Sequence, residues 1–154
     1  MPELDTDLLT ESLVEALETM AFISPMPWEG DLPTAPHMGY AVSIRHHTDQ
    51  VRTCRLIAPG EFAEHLAANL LGDLEPGQDP VVRNSDALKE LMNVVSGAML
   101  RAADAHSTAT LAIDLPQVEI VHEESAWSRL IGEPGAIQLN ADGFLLVLTL
   151  SPGA

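Results

Sequence analysis

Residues 85–104 read Ser-Asp-Ala-Leu-Lys-Glu-Leu-Met-Asn-Val-Val-Ser-Gly-Ala-Met-Leu-Arg-Ala-Ala-Asp, a run without proline and with one glycine, Gly97. Wound at about 100° per residue, Leu88, Leu91, Met92, Val95, Ala98, Met99 and Ala102 fall on one side. Asp86, Glu90, Asn93, Gly97, Arg101 and Asp104 fall on the other. The spacing predicts an amphipathic helix roughly 30 Å long. Glu90 and Asn93 stand side by side on it, with Cβ atoms about 5–6 Å apart, and Gly97 follows one turn later. Solvated helix faces are normally filled with Lys, Glu and Arg, whereas Asn is a mediocre helix former and Gly costs about 1 kcal/mol against Ala. Two explanations fit this stripe. One is tight packing at Gly97 beside a chance Glu-x-x-Asn; the other is a partner backbone approaching Gly97 while Glu90 and Asn93 act on it.

Outward from this helix, residues 73–83 read as a connector, with Asn84 or Ser85 as the expected helix cap. Before it, Glu61–Leu71 predicts a helix with Phe62, Leu66 and Leu70 inward, and Gly72 supplies a natural C′ residue. Gly39–His46 and Gln50–Ile57 read as a hairpin around His47-Thr48-Asp49. Residues 23–37, with Pro25, Pro27, Pro33 and Pro36, read as an irregular connector. Residues 5–22 predict a first helix capped by Asp5, Thr6 or Asp7, with an apolar stripe of Leu9, Leu13, Ala16, Leu17 and Met20.

Downstream, a short extended piece around Leu111–Leu115 is followed by Pro116 and an alternating strand, Gln117–His122. Trp127 and Leu130 anchor a short helical turn within Glu123–Ile131. Ala136–Asn140 and Phe144–Ser151 flank Ala141-Asp142-Gly143, a hairpin signal. The last strand is apolar at nearly every residue, as expected of a central strand or of an edge covered by another subunit. Hairpin connections dominate, so the expected fold is α+β in two layers, a mainly antiparallel sheet with long helices on one face. Each half pairs a long helix with strands, a weak hint of internal duplication.

A length of 154 residues fits a single domain spanning 1–154 with a real core. Hydrophobic residues make up 46% and charged residues 19%, which argues against disorder, and aromatics at 4% leave the core to aliphatic side chains and Met. Seven Lys plus Arg against 23 Asp plus Glu give a net charge of −16. That balance excludes nucleic acid and anionic membranes as expected partners, since both need a basic footprint. Partners carrying lysine or a metal ion fit it. Cys54 is the lone cysteine, expected to be a buried inert thiol, and the lack of a disulfide framework suits a reducing compartment. Met1–Asp7 lacks the basic and apolar regions of a signal peptide, and Phe144–Leu150 is too short to span a bilayer. The expectation is a soluble cytoplasmic domain.

The motifs of common chemistries are missing. His46 and His47 point to opposite faces of a strand, and His37, His65, His106 and His122 are scattered, so no metal site is expected. Neither a nucleotide-binding glycine loop nor a nucleophile elbow occurs. Glu123 and Glu124 are sequence neighbours of the kind found in solvated turns.

The helix at 85–104 then extends into a longer pattern: Asp86, three residues, Glu90, two residues, Asn93, twenty-two residues, Pro116. This spacing resembles the CheC/CheX/FliY phosphatases of bacterial chemotaxis, which carry Asp/Ser-x3-Glu-x2-Asn-x22-Pro, and Gly97 matches the glycine four residues after their Asn. Phe62–Gly72 resembles the segment preceding the family's active helix. Glu15–Phe22, Glu-Ala-Leu-Glu-Thr-Met-Ala-Phe, is similar to the CheX first helix, so the resemblance covers most of the chain. Where a second site would need Glu and Asn, the first helix has Glu15 and Glu18. One site rather than two points to the CheX branch.

The resemblance implies hydrolysis of the aspartyl phosphate on a CheY-like receiver domain. It assigns Asn93 to positioning the water and Glu90 to docking on the receiver's lysine, with Gly97 giving room for the receiver. Asp86 either caps the helix start or adds a rim contact, and Pro116 is architectural. It implies no cofactor of the chain's own, the Mg²⁺ belonging to the receiver, and a homodimer joined through sheet edges, which would account for the apolar last strand. The alternatives are a non-catalytic receiver-binding module and a structural component of a chemotaxis, flagellar or two-component system.

Overall fold

The computed structural model describes residues 5–47, 50–104 and 112–152. Helix α1 (Thr6–Ala21) begins at Asp5, whose carboxylate accepts the Leu8 N–H at 2.8 Å. The hairpin β2 (Gly39–His47) and β3 (Val51–Pro59) leads into α2 (Gly60–Leu71), which ends at Gly72 with φ +79°. Helix α3 (Pro80–Asp104) follows, then β4 (Ala112–Ile113), β5 (Gln117–Val121), α4 (Glu124–Ile131), β6 (Ile137–Ala141) and β7 (Phe144–Pro152). At the tip of the last hairpin, Asp142 and Gly143 both take positive φ, +53° and +91°, the requirement of a type I′ turn.

Two expectations are corrected here, and one open alternative is decided. Residues 23–37 contribute a short strand, β1 (Met26–Pro27), which pairs with β6 as Met26↔Asn140 and Pro27↔Leu139. Helix α3 starts at Pro80, five residues before the expected start. Asp79 caps it, its Oδ1 accepting the Val81 N–H at 2.9 Å, and Pro80 fits the first turn because its missing N–H would have had no helical partner. Asn84 and Ser85 therefore cap nothing. Asn84 is buried and donates from Nδ2 to the Tyr40 hydroxyl at 3.4 Å, tying α3 to β2. Of the two alternatives for the last strand, β7, the central strand holds and the edge covered by another subunit does not: the sheet order is β1-β6-β7-β3-β2-β4, with β5 also on β2. Its apolar residues are covered within the chain, so they give no support to a dimer through that strand.

All pairings are antiparallel among the described strands. Helices α1, α2 and α3 lie on one face, where Tyr40, Val42, Leu56, Leu146 and Leu148 meet Leu13, Leu17, Phe62, Leu66, Leu88 and Leu91. Helix α4 covers part of the opposite face, with Trp127, Leu130 and Ile131 on Ala41, Ile57, Leu145 and Val147. Each half supplies a long helix, short strand pieces and a hairpin, and the halves trade edges: β1 lies on the second hairpin, β4 and β5 on the first, with β3 against β7 at the centre. The weak hint of duplication in the sequence thus becomes an explicit symmetry of topology, broken by α2 and α4.

The α4 layer depends on one close approach. A Cβ on Gly39 would stand 2.7 Å from Trp127 Cζ3 and 2.9 Å from Cε3. Both are core ring atoms with no room to retreat, so Gly39→Ala is expected to cost about 1–3 kcal/mol, read as a lower denaturation midpoint.

Candidate functional site

The inward face of α3 is set by its apolar period: Leu88, Leu91, Met92, Val95 and Met99 are buried, and Ala98 and Ala102 are half-buried. This burial fixes the rotation of the helix, which lies between α1 and α2 and packs on both. Its outer face then presents Asp86, Glu90 and Asn93 exposed in one line, with Gly97 half-exposed beyond them. The four residues singled out by their spacing are brought together as a single stripe, about 16 Å from the Asp86 to the Gly97 position. Asp86 lies in the second turn, which removes it from the helix cap.

Gly97 is covered by its neighbour one turn on along the same stripe. A Cβ there would meet Arg101 Nη1 at 3.2 Å, so the Arg101 side chain lies back over the glycine. Pro116 is buried just before β5. On α1, Glu15 and Glu18 are exposed, a two-carboxylate stripe where α3 offers Glu and Asn.

The N-terminal end of the stripe is held by Arg83. Its Nη2 donates to the carbonyls of Ala67, at 3.3 Å, and of Gly72, and its Nη1 donates to the Asp73 carbonyl at 3.1 Å and to Gln78 Oε1 at 3.2 Å. These bonds tie the start of α3 to the last turn of α2 and to the residues that follow it. Asn69 Nδ2 likewise donates to the Ala21 carbonyl at 2.9 Å, joining the end of α2 to the end of α1. The three helices are locked at the end where the stripe begins.

The histidines are dispersed. His47 Nε2 and Arg45 Nε meet Asp114 at 3.0 and 2.9 Å. The bond from His47, ahead of the Arg45 charge, holds the Asp114 carboxyl below its usual range. His65 pairs with Asp142 at 3.1 Å, and His46 is fully buried with Nδ1 3.4 Å from Cys54 Sγ. Burial pushes the Cys54 thiol up to about 12, which keeps it protonated and unreactive as expected. Among the described residues no three His, Cys, Asp or Glu side chains gather into a metal-binding group, and His106 lies outside those residues. No helix of the described residues is long and apolar enough to cross a membrane.

No protein-family model matches the chain, and no curated protein matches it. Solved structures do. The chain is similar to the chemotaxis protein CheX of Desulfovibrio desulfuricans, with a TM-score of 0.68 at 17% identity over 96% of this chain and 97% of that one. It is similar to CheX of Borrelia burgdorferi, solved as a CheX–CheY–BeF3–Mg²⁺ complex, with a TM-score of 0.68 at 15% identity over 99% and 100%. FliY of Thermotoga maritima matches with a TM-score of 0.53 at 14% identity over 90% and 83%. The chain therefore has the CheC-type fold, and CheX structures match it over nearly their whole length.

Proposed function

We propose that this chain hydrolyses the aspartyl phosphate of a CheY-type receiver domain. The observation that carries the proposal is the exposed line Asp86, Glu90, Asn93 and Gly97 on α3 of a CheC-type fold. An acyl phosphate is already activated, so the main task is to hold a water in line with phosphorus while the P–O bond to the aspartate breaks. Attack by water yields inorganic phosphate and the free carboxylate. A carboxamide suits the task, because its oxygen accepts from the water while its NH₂ donates. Asn93 supplies it. Glu90, one turn away, pairs with a lysine beside the receiver's phosphorylation site and sets the angle at which Asn93 enters. The Mg²⁺ is the receiver's, and the chain supplies no ligand to it.

The test is the lifetime of the phosphoryl group on purified receivers. Substoichiometric amounts of this chain are expected to shorten it for a cognate receiver. A receiver that binds with its phosphate lifetime unchanged identifies a non-catalytic binding module instead.

Gly97 separates packing from docking. Gly97→Ala displaces only the far end of the Arg101 side chain and improves helix propensity, so the fold should gain about 0.5–1 kcal/mol. If the receiver closes over this point, the more stable variant dephosphorylates it more slowly. Equal rates together with higher stability would show that Gly97 leaves room only for Arg101.

A further inference from the structure

The stripe does not end at Asp86. One turn earlier on the same line stands Val82, 56% exposed, and beside it Leu71 at the end of α2 is 52% exposed. With Gln78, Asp79, Arg83 and Asp86 they line an open cleft of about 490 Å³ between the end of α2 and the start of α3. Helices that pack on each other normally bury such side chains, and most of the inward residues of α2 and α3 do so here. We propose that this cleft is the second half of the receiver-docking surface, taking an apolar receiver side chain that has a lysine or arginine next to it. The inference rests on the phosphatase reading and adds to it the chemistry of the surface that the receiver presents.

Three observations select that occupant. The first is continuity. Val82 and Asn93 are eleven residues apart on one helix, about 16 Å, whereas a standard protein interface covers about 800 Å² per partner and so spans nearly 30 Å. A receiver held over Asn93 with Glu90 and Asp86 beneath it reaches Val82. The second is charge. The apolar floor is edged by the carboxylates of Asp79 and Asp86, and the one cation in the lining, Arg83, is turned onto backbone carbonyls and Gln78. Two carboxylates against one guanidinium leave the lining net negative, on a chain of net charge −16, which favours an apolar group accompanied by a cation. The third is rigidity. The Arg83 clamp and the Asp79 cap hold both walls before any partner arrives, so docking needs little ordering of the cleft.

The test uses the full chain with the double substitution Leu71→Ser and Val82→Ser, and each single one. Two measurements are made: titration with a receiver locked by beryllofluoride, and turnover of the phosphorylated receiver. The double variant is expected to bind about tenfold more weakly, with the loss appearing in KM rather than kcat, and each single variant about threefold more weakly. Leu115→Ser removes an exposed leucine (85%) next to β4, away from the cleft, and should leave KM in place. Wild-type turnover with unchanged Kd and KM in the double variant overturns the cleft inference alone. Wild type that neither binds nor turns over any receiver overturns it together with the phosphatase reading. Singles that bind as wild type does, if the double fails to fold, also overturn it.

Discussion

Asn93→Ala is expected to lower the dephosphorylation rate of the cognate receiver at least about a hundredfold while leaving the fold in place. The two halves of this expectation come from different parts of the same helix. Residue 93 is exposed, so its truncation opens no cavity, and alanine is the better helix former; stability should move by no more than about 0.5 kcal/mol. The receiver should still bind, because Glu90, Asp86 and the cleft beyond them remain. What is lost is the group that aims water at phosphorus, a loss confined to the transition state and read in kcat. Asn93→Asp sharpens the experiment. It keeps the shape and the acceptor oxygen but loses the donor and brings negative charge toward a phosphoryl group, so it should be no better than alanine. A turnover rate in either variant equal to that of the wild type would remove Asn93 from the mechanism.

Acid is expected to destabilise the fold through His46. Its ring is fully buried, with Nδ1 facing Cys54 and Nε2 without a hydrogen-bond partner. Burial first, and the neighbouring His47 second, lower its pKa from 6.5 to about 4. Below pH 6.5 the unfolded chain takes up a proton that the folded chain refuses until about pH 4, so stability falls across that window and levels off beneath it. The span corresponds to about 3 kcal/mol, a large part of the total for a domain of this size. The Asp114 carboxyl, depressed below 3.8, acts at lower pH than this window. Denaturant melts at several pH values check the prediction. His46→Leu, apolar and of similar size, should be less sensitive between pH 6.5 and 4, and equal slopes in the two proteins would refute the assignment to His46.

How much of this was legible in the sequence differs from element to element. The face of α3 was plain, because burial of Leu88, Leu91, Met92 and Val95 follows directly from a 3.6-residue period, and the opposite stripe is then fixed by geometry. The start of α3 was not. Asp79-Pro80 is a cap followed by a first-turn proline, yet after Glu75-Pro76-Gly77 it reads as more connector, and Val81 and Val82 are indifferent helix formers. Asn84 looked like a cap because its partner, the Tyr40 hydroxyl, lies 44 residues away on a strand. The two residues of β1 carry no alternation to detect and exist as a strand only through β6. The nearly continuous apolarity of Phe144–Leu150, interrupted only by Thr149, shows that both faces of β7 are covered, but not that its own chain covers them. The cleft at Leu71 and Val82 needs the ends of two helices to meet, which no local pattern encodes. The line from Asp86 to Gly97 is legible in the sequence because all its members share one helix.

The pairing of β3 with β7 sets an order of assembly. Leu56 lies opposite Leu148, ninety-two residues on, so the middle of the sheet closes over most of the chain's length. Closing so long a loop is entropically costly and slow, and it cannot happen during synthesis before the last strand has emerged. Until then β3 lacks its neighbour β7, and β2 gains β4 and β5 only after α3 has been made. The nascent first half thus offers two open strand edges to any other chain, a period of exposure to aggregation that ends when β7 slots in. Folding of this protein should be slow for its size and limited by that last event.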